Sequence, residues 1–353
     1  MMNESNNTFV SSRGILKSCD WFSTTPQSSI QRMINYPPLQ AAKPNQIRTF
    51  YICSSTIPYF ISHILPNLKK PFILVGGDCD KTIPNDIFPS TKAFDEFIDN
   101  PLLLHWFSQN LAYSHPKMTA IPIGLDYHTI SSIGGFGEPD TFPADQESQM
   151  FFTRENSVPF WERANKCYAN FHFSMNTRYG YDRKQAIQQI RKELVFYEYK
   201  PVKRSLTWQR QTDFAFVISP HGNGYDCHRL WEALVLGCIP IVKTSVLDNL
   251  YEDLPVLIVK EWSDITKKLL DETIEEFKEK HELNEFNYDK LTLKYWVDKI
   301  NSYKIQPLIT VMRSEEPNEI TEEEPNEITE EEPDSEEQDS EEPDSEEPDS
   351  EDA

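Results

Sequence analysis

Cysteine is sparse and scattered. The six of this 353-residue chain (Cys19, Cys53, Cys79, Cys167, Cys227 and Cys238) form no CxxC pair. That excludes the usual zinc spacings and, at this length, a disulfide scaffold. Reduced thiols in a cytosolic protein are the simplest expectation. No apolar run approaches the ~20 residues needed to cross a bilayer. The opening MMNESNNTFV is polar where a signal peptide would be apolar. A cytoplasmic protein without a membrane span is therefore expected. Basic residues are missing from residues 314–353, which hold 22 Asp and Glu. Set against totals of 57 acidic and 34 basic residues and a formal net charge of -23, this leaves the rest of the chain with 35 acidic residues and nearly neutral. A neutral body with an acidic tail has no footprint for nucleic acid, which needs clustered positive charge.

Core-forming residues are plentiful: 38% of the chain is apolar, with 7 Trp, 15 Tyr and 21 Phe, enough for about two domains. Residues 1–45, rich in Ser, Asn and Pro, read as a loosely structured lead-in packed on the first domain. Residues 46–130 alternate short apolar runs with helical stretches. Strands are expected at 49–53 (TFYIC), 72–75 (FILV) and 120–123 (AIPI), and helices at 59–65 and at 94–104, the latter interrupted by Pro101. Residues 131–160, dense in Gly, Pro and acids, read as a linker or long surface loop. The rhythm resumes over 161–305, with strands at 167–173, 214–218 (FAFVI) and 239–242 (IPIV). A helix is expected over 183–194, capped near Asp182. Leu293, Trp296, Val297 and Ile300 stand at amphipathic helical spacing. This alternation predicts an α/β fold with parallel sheets covered on both faces. In the tail, EEPNEITE occurs twice and EEPDS or EEQDS recurs every five residues from Glu331 to Ser350. Like-charge repulsion and proline predict a disordered tail. It would be a solubilising extension, a docking tail for a basic partner, or a phosphorylation target at Ser335, Ser340, Ser345 and Ser350.

The most informative stretch is residues 214–242, FAFVISPHGNGYDCHRLWEALVLGCIPIV. A buried strand ends at Ser219-Pro220. A loop with Gly222 and Gly224 follows, where backbone can approach a ligand. Asp226 is placed as an N-cap, and a helix runs to about Leu236 and stops at Gly237. Strand, glycine-bearing loop and helix N-terminus together make an anion site. Arg229, in the first turn, reaches a phosphate bound there, and His221 can hydrogen-bond one. Glu232, three residues on, shares the face of Arg229 and suits a ribose diol. The plainer alternative is an i,i+3 ion pair on a solvated face.

The segment from Pro220 to Val242 resembles the C-terminal signature of the exostosin-like glycosyltransferases. The matching positions are Pro220, Gly222, Arg229, Glu232-Ala233 and Gly237-Cys238-Ile239-Pro240. A weaker likeness runs through Asn170-Phe171, Thr177 and Arg183, and through WFSQN (residues 106–110) and KMTAIPIGLD (residues 117–126). The resemblance spans residues 48–300, with about a tenth of the chain matching tightly. The departure is Asp226-Cys227-His228, where members often carry Ser before the Arg. The resemblance implies a GT-B architecture: two Rossmann-like domains facing across a cleft, the donor nucleotide mainly on the C-terminal one. It also implies an inverting transfer of sugar from a nucleotide sugar, by analogy UDP-linked, to a hydroxyl of a glycan or glycoprotein acceptor. No metal or other cofactor is expected. Donor-binding candidates are thus Arg183, His221, Gly222, Gly224, Asp226, Arg229 and Glu232.

The base should come from the N-terminal half. Asp78 and Asp80 are the candidates at a strand end, with Asp126 and His105 behind them. Asp78-Cys79-Asp80 also reads as a DxD motif, which suits a divalent cation, or as loop carboxylates capping a turn. Two other functions remain open: a nucleotide-sugar epimerase on the same scaffold, and a non-catalytic carbohydrate-binding or scaffold protein.

Overall fold

A computed structural model describes residues 4–39, 46–132 and 141–305; the acidic repeats and the glycine-rich stretch at 134–138 lie outside them. After helix α1 (Ser12–Ser18), strand β1 (Arg48–Cys53) leads into α2 (Ile57–Tyr59) and a π-helical turn. Then come β2 (Phe72–Gly77), α3 (Thr91–Ile98), β3 (Leu103–Ser108), β4 (Met118–Ala120) and α4 (Tyr127–Ile130). The four strands form one parallel sheet in sequential order. The second half runs α5 (Pro143–Glu155), β5 (Ala164–Ala169), α6 (Gly180–Gln189), β6 (Val195–Tyr197), α7 (Arg204–Gln211), β7 (Phe214–Ile218), α8 (His228–Val235), β8 (Ile239–Lys243), β9 (Leu257–Val259), α9 (Lys267–Glu282) and α10 (Leu293–Ser302). Its five strands are also parallel, ordered β6-β5-β7-β8-β9. Strand order reverses between β5 and β7. In doubly wound sheets, ligands bind in the crevice outside the carboxyl ends of the strands at such a reversal.

β2 is buried along its whole length, as are the last four residues of β7. Parallel strands covered on both faces require such continuous apolar runs. One buried cluster takes Tyr51, Ile73, Val75 and Phe107 from the first sheet and Tyr168, Val217, Trp231 and Val242 from the second half. Among the described residues, no helix is long and apolar enough to cross a membrane.

Several elements depart from the sequence expectation. The stretch at 94–104 divides. α3, capped by the Ser90 hydroxyl, ends at Ile98, and Asn100-Pro101 turns the chain into β3. A residue before proline resists the helical conformation, so the interruption at Pro101 marks a strand start. β4 ends at Ala120 and not at 123, and β5 at Ala169 and not at 173. Within the expected linker, residues 143–155 form α5. Its buried positions include Gln146, Glu147 and Thr153, so the apolar period that betrays a helix is absent. The Glu147 carboxylate accepts the backbone N–H groups of Thr8 and Phe9 and the Tyr127 hydroxyl.

Residues 9–16 of the lead-in are packed into the core. Val10 N–H donates to Leu291 O, and Leu125 N–H donates to Val10 O. Phe9, Val10, Ile15 and Leu16 are buried with the main core. This crossing needs Gly124. Its φ is +66°, and a Cβ there would lie 2.2 Å from Val10 O. Gly124→Ala should therefore lose at least the ~1–2 kcal/mol of a left-handed alanine, more with the clash, read as a lower urea midpoint. An unchanged midpoint would contradict this packing.

Candidate functional site

The carboxyl ends of β5 and β7 carry most of the residues singled out above. Beyond β7, residues 219–227 loop into α8. Gly222 and Gly224 are small here because protein packs on them: a Cβ on Gly222 would meet Arg183 Nη2 at 2.9 Å, and one on Gly224 the Asn110 amide at 2.9 Å. Their role is thus close packing, with no need of a ligand to explain it.

Arg183, buried on α6, donates from Nε to His221 O at 2.9 Å and from Nη1 to Ser174 O. Arg229, on the first turn of α8, donates from Nε to Asn170 Oδ1 at 2.9 Å. Among the described residues, neither arginine forms an ion pair. Burial pulls the Arg229 pKa down to about 10. Cys227 opposes this, while the charges of Arg183 and Arg204 add to it. Glu232, without pairing to Arg229, also opposes the shift. Neighbouring cations that share so little carboxylate charge favour an anion between them.

Arg204 of α7 does have its carboxylate. Its Nη1 lies 2.9 Å from Glu232 Oε2, and Glu232 is only 3% exposed. The i,i+3 pair of Arg229 with Glu232 does not form, and Glu232 is not a lone acceptor on the cleft side. It holds Arg204 beside the other two arginines.

Asp226 is not the N-cap of α8. That position is Cys227, which supplies no side-chain cap; Leu230 N–H donates to Cys227 O at 3.1 Å, and the earlier amides of the first turn lack a side-chain cap. Asp226 turns inward. Its Oδ2 accepts the Ile123 N–H at 2.8 Å, and both oxygens accept Trp231 Nε1–H at 2.9 and 3.1 Å. Its own N–H donates to Asn110 Oδ1 at 3.0 Å. Asp182, similarly, caps no helix: it accepts His221 N–H and Trp262 Nε1–H at 2.9 and 2.7 Å. His221 donates from Nδ1 to Tyr225 O at 2.9 Å. That leaves Nε2 as the ring's second nitrogen for a ligand.

From the first sheet, Asp78 follows β2 with φ +53°. Its carboxylate is occupied, accepting the Ser28 hydroxyl at 2.6 Å and lying 3.6 Å from Arg13 Nη2. Asp80 is half-buried and, among the described residues, makes no side-chain hydrogen bond. Burial raises its pKa, helped by Asp78 and opposed by His228. Of the two expected bases, Asp80 is the one left unengaged. His105 sits inside the sheet, 2% exposed, bonded to Thr119 Oγ1 at 2.8 Å and packed on Tyr303. Burial drags its pKa to about 4. It belongs to the core.

Asp126 caps α4 and lies 3.1 Å from His128 Nδ1. His228, the first residue of α8, donates from Nδ1 to Gly124 O at 2.7 Å and stands 6.4 Å from the His128 ring. Among the described residues, no group of three or more His, Cys, Asp or Glu is placed to hold a metal ion. Sequence reasoning did not single out Asn110, Asn170, Arg204, His128 or the orienting bond of His228. Asn110 and Asn170 lay in quoted motifs, but their partners are 116 and 59 residues away, and nothing local marks them.

No protein-family model matches the chain, and no curated protein matches it.

The buried Asp226 yields a pH test. Burial, against the donors of Ile123 and Trp231, raises its pKa to about 6, above the ~4 of an unfolded aspartate. The folded state therefore binds more protons. The stabilisation this linkage supplies is full below about pH 4 and lost as pH rises through about 6. In urea unfolding, the excess stability of wild type over Asp226→Asn should shrink from pH 4.5 to pH 7. A pH-independent difference would contradict the assignment.

Proposed function

We propose that this chain is an inverting, metal-independent glycosyltransferase of GT-B architecture that uses a nucleotide-diphosphate sugar, UDP-linked by analogy with the resembling family. The observation that carries the reading is the pair of unpaired arginines, Arg183 and Arg229, at the strand-order reversal. A diphosphate would pair the two guanidinium groups that Glu232 leaves unpaired, and planar guanidinium forks match its oxygens. The uncapped first turn of α8 adds amide donors and a favourable dipole. His221 contributes a third donor when protonated. Arg204, held by Glu232, extends the positive field.

The resemblance supplies the reaction class. The acceptor oxygen attacks the anomeric carbon while the bond from that carbon to the diphosphate breaks. Charge grows on the departing diphosphate, where fixed cations stabilise the transition state more than the ground state. Arginines in this role take the place of a divalent cation. Asp78, bound to Ser28 and close to Arg13, is poorly free to ligate one. The groups that face the acceptor come from the first sheet, at Asp80 and at Asp126 with His128.

The test is calorimetric titration of the full chain with UDP, with and without EDTA. We expect binding that EDTA does not change. Arg229→Ala should raise Kd about 10- to 100-fold, the equivalent of roughly 1.5–3 kcal/mol for a charge-assisted hydrogen bond. Its unfolding midpoint should hold, because among the described residues the Arg229 side chain bonds to Asn170 alone. Wild-type affinity in Arg229→Ala would refute the donor site, and binding abolished by EDTA would return Asp78 and Asp80 to the centre of the mechanism.

A further inference from the structure

We propose that His228, the first residue of α8, is the group that takes the proton from the acceptor hydroxyl. This rests on the transferase reading above and goes beyond it by naming the base. His228 Nδ1 lies 2.7 Å from Gly124 O. A carbonyl oxygen can only accept, so in the neutral ring Nδ1 carries the hydrogen and Nε2 holds the lone pair. Among the described residues, Nε2 has no hydrogen-bond partner. The half-buried ring is thus held at one nitrogen and open at the other, the arrangement a general base needs.

Its place in the fold is equally specific. His228 directly precedes Arg229 on the first turn of α8, the turn assigned above to the diphosphate. Gly124, which holds the ring, lies beyond the carboxyl end of β4 in the other half of the chain. The bond spans 104 residues and turns the ring from α8 towards the first sheet, with the His128 ring 6.4 Å away. The carboxylates of Asp80, Asp126 and Asp226 all feel its charge. An imidazolium formed there is therefore stabilised by opposite charge. The other candidates each lack one of these features. His221 is held by Tyr225 O within its own loop and packs on Tyr225 and Tyr179, away from the first-sheet carboxylates. Nε2 of His128 is occupied by Ser28. Asp80 has no hydrogen bond to orient it among the described residues.

The step balances. The acceptor oxygen forms its bond to the anomeric carbon as its proton passes to His228 Nε2. The electron pair of the breaking carbon–oxygen bond leaves with the nucleoside diphosphate. The imidazolium returns its proton to solvent.

The experiment uses the full chain and measures UDP release from UDP-glucose, UDP-galactose and UDP-N-acetylglucosamine, with water and free monosaccharides as acceptors, alongside UDP calorimetry. His228→Asn is the deciding variant. Its amide N–H stands in for Nδ1–H at Gly124 O, while nothing replaces Nε2. It should lower kcat about 100-fold or more and leave the UDP Kd and the unfolding midpoint as in wild type. His228→Ala should lose turnover to the same extent, and added imidazole should partly restore it, which a merely structural role would not allow. Nitrogen NMR of the neutral His228 ring should show the hydrogen on Nδ1. Full turnover in His228→Asn, a hydrogen on Nε2, or loss of turnover confined to Asp80→Asn overturns His228 as the base and leaves the donor site standing. A wild-type chain that binds no UDP, or releases none from any of the three UDP-sugars, overturns the transferase reading and the base with it.

Discussion

The carboxylate of Asp226 is the interaction on which the rest of the site depends. It lies 2% exposed between the halves of the chain. One oxygen takes the Ile123 N–H beyond β4 while both hold Trp231 on α8. Its backbone N–H is held by Asn110, whose amide also donates to Cys79 O. Removing a shared buried acceptor orphans several donors at once. Through this residue the Asp78–Asp80 loop, the Ile123–Gly124 turn and the first turn of α8 keep a common register. Arg229 and His228 inherit their positions from it.

A second constraint is charge. Arg183, Arg204 and Arg229 lie near where strand order reverses, and among the described residues only Arg204 forms an ion pair. A fold gains nothing in stability from gathering desolvated like charges. The arrangement makes sense when a polyanion completes it. The first sheet brings the carboxylates of Asp80 and Asp126 to the other side.

The strands were legible where their burial was apolar. FILV and FAFVI read directly as buried parallel strands because both faces must be covered. The helix at 143–155 was not, because its inward side is polar and satisfied by Thr8, Phe9 and Tyr127, more than a hundred residues away in the case of the first two. The burial of residues 9–16 was not legible for a related reason: it comes from threading past Gly124 and Leu291, and no local period records that. At the site, Arg229 could be chosen from the loop-and-helix pattern. The partners of Glu232 and Asp226 could not, since local spacing suggested an i,i+3 pair and an N-cap while tertiary partners won both. His128 had no motif of its own; Asp126 stands two residues before it, and only the fold brings Ser28 to it.

The most direct test of the donor site is a crystal structure of the chain soaked with UDP. The account places the diphosphate between the Arg183 and Arg229 guanidinium groups, against the first turn of α8 and within reach of His221 Nε2. Diphosphate density elsewhere would contradict it. One such place is the cavity of about 260 Å³ lined by Trp161, Arg163, His281 and Tyr288.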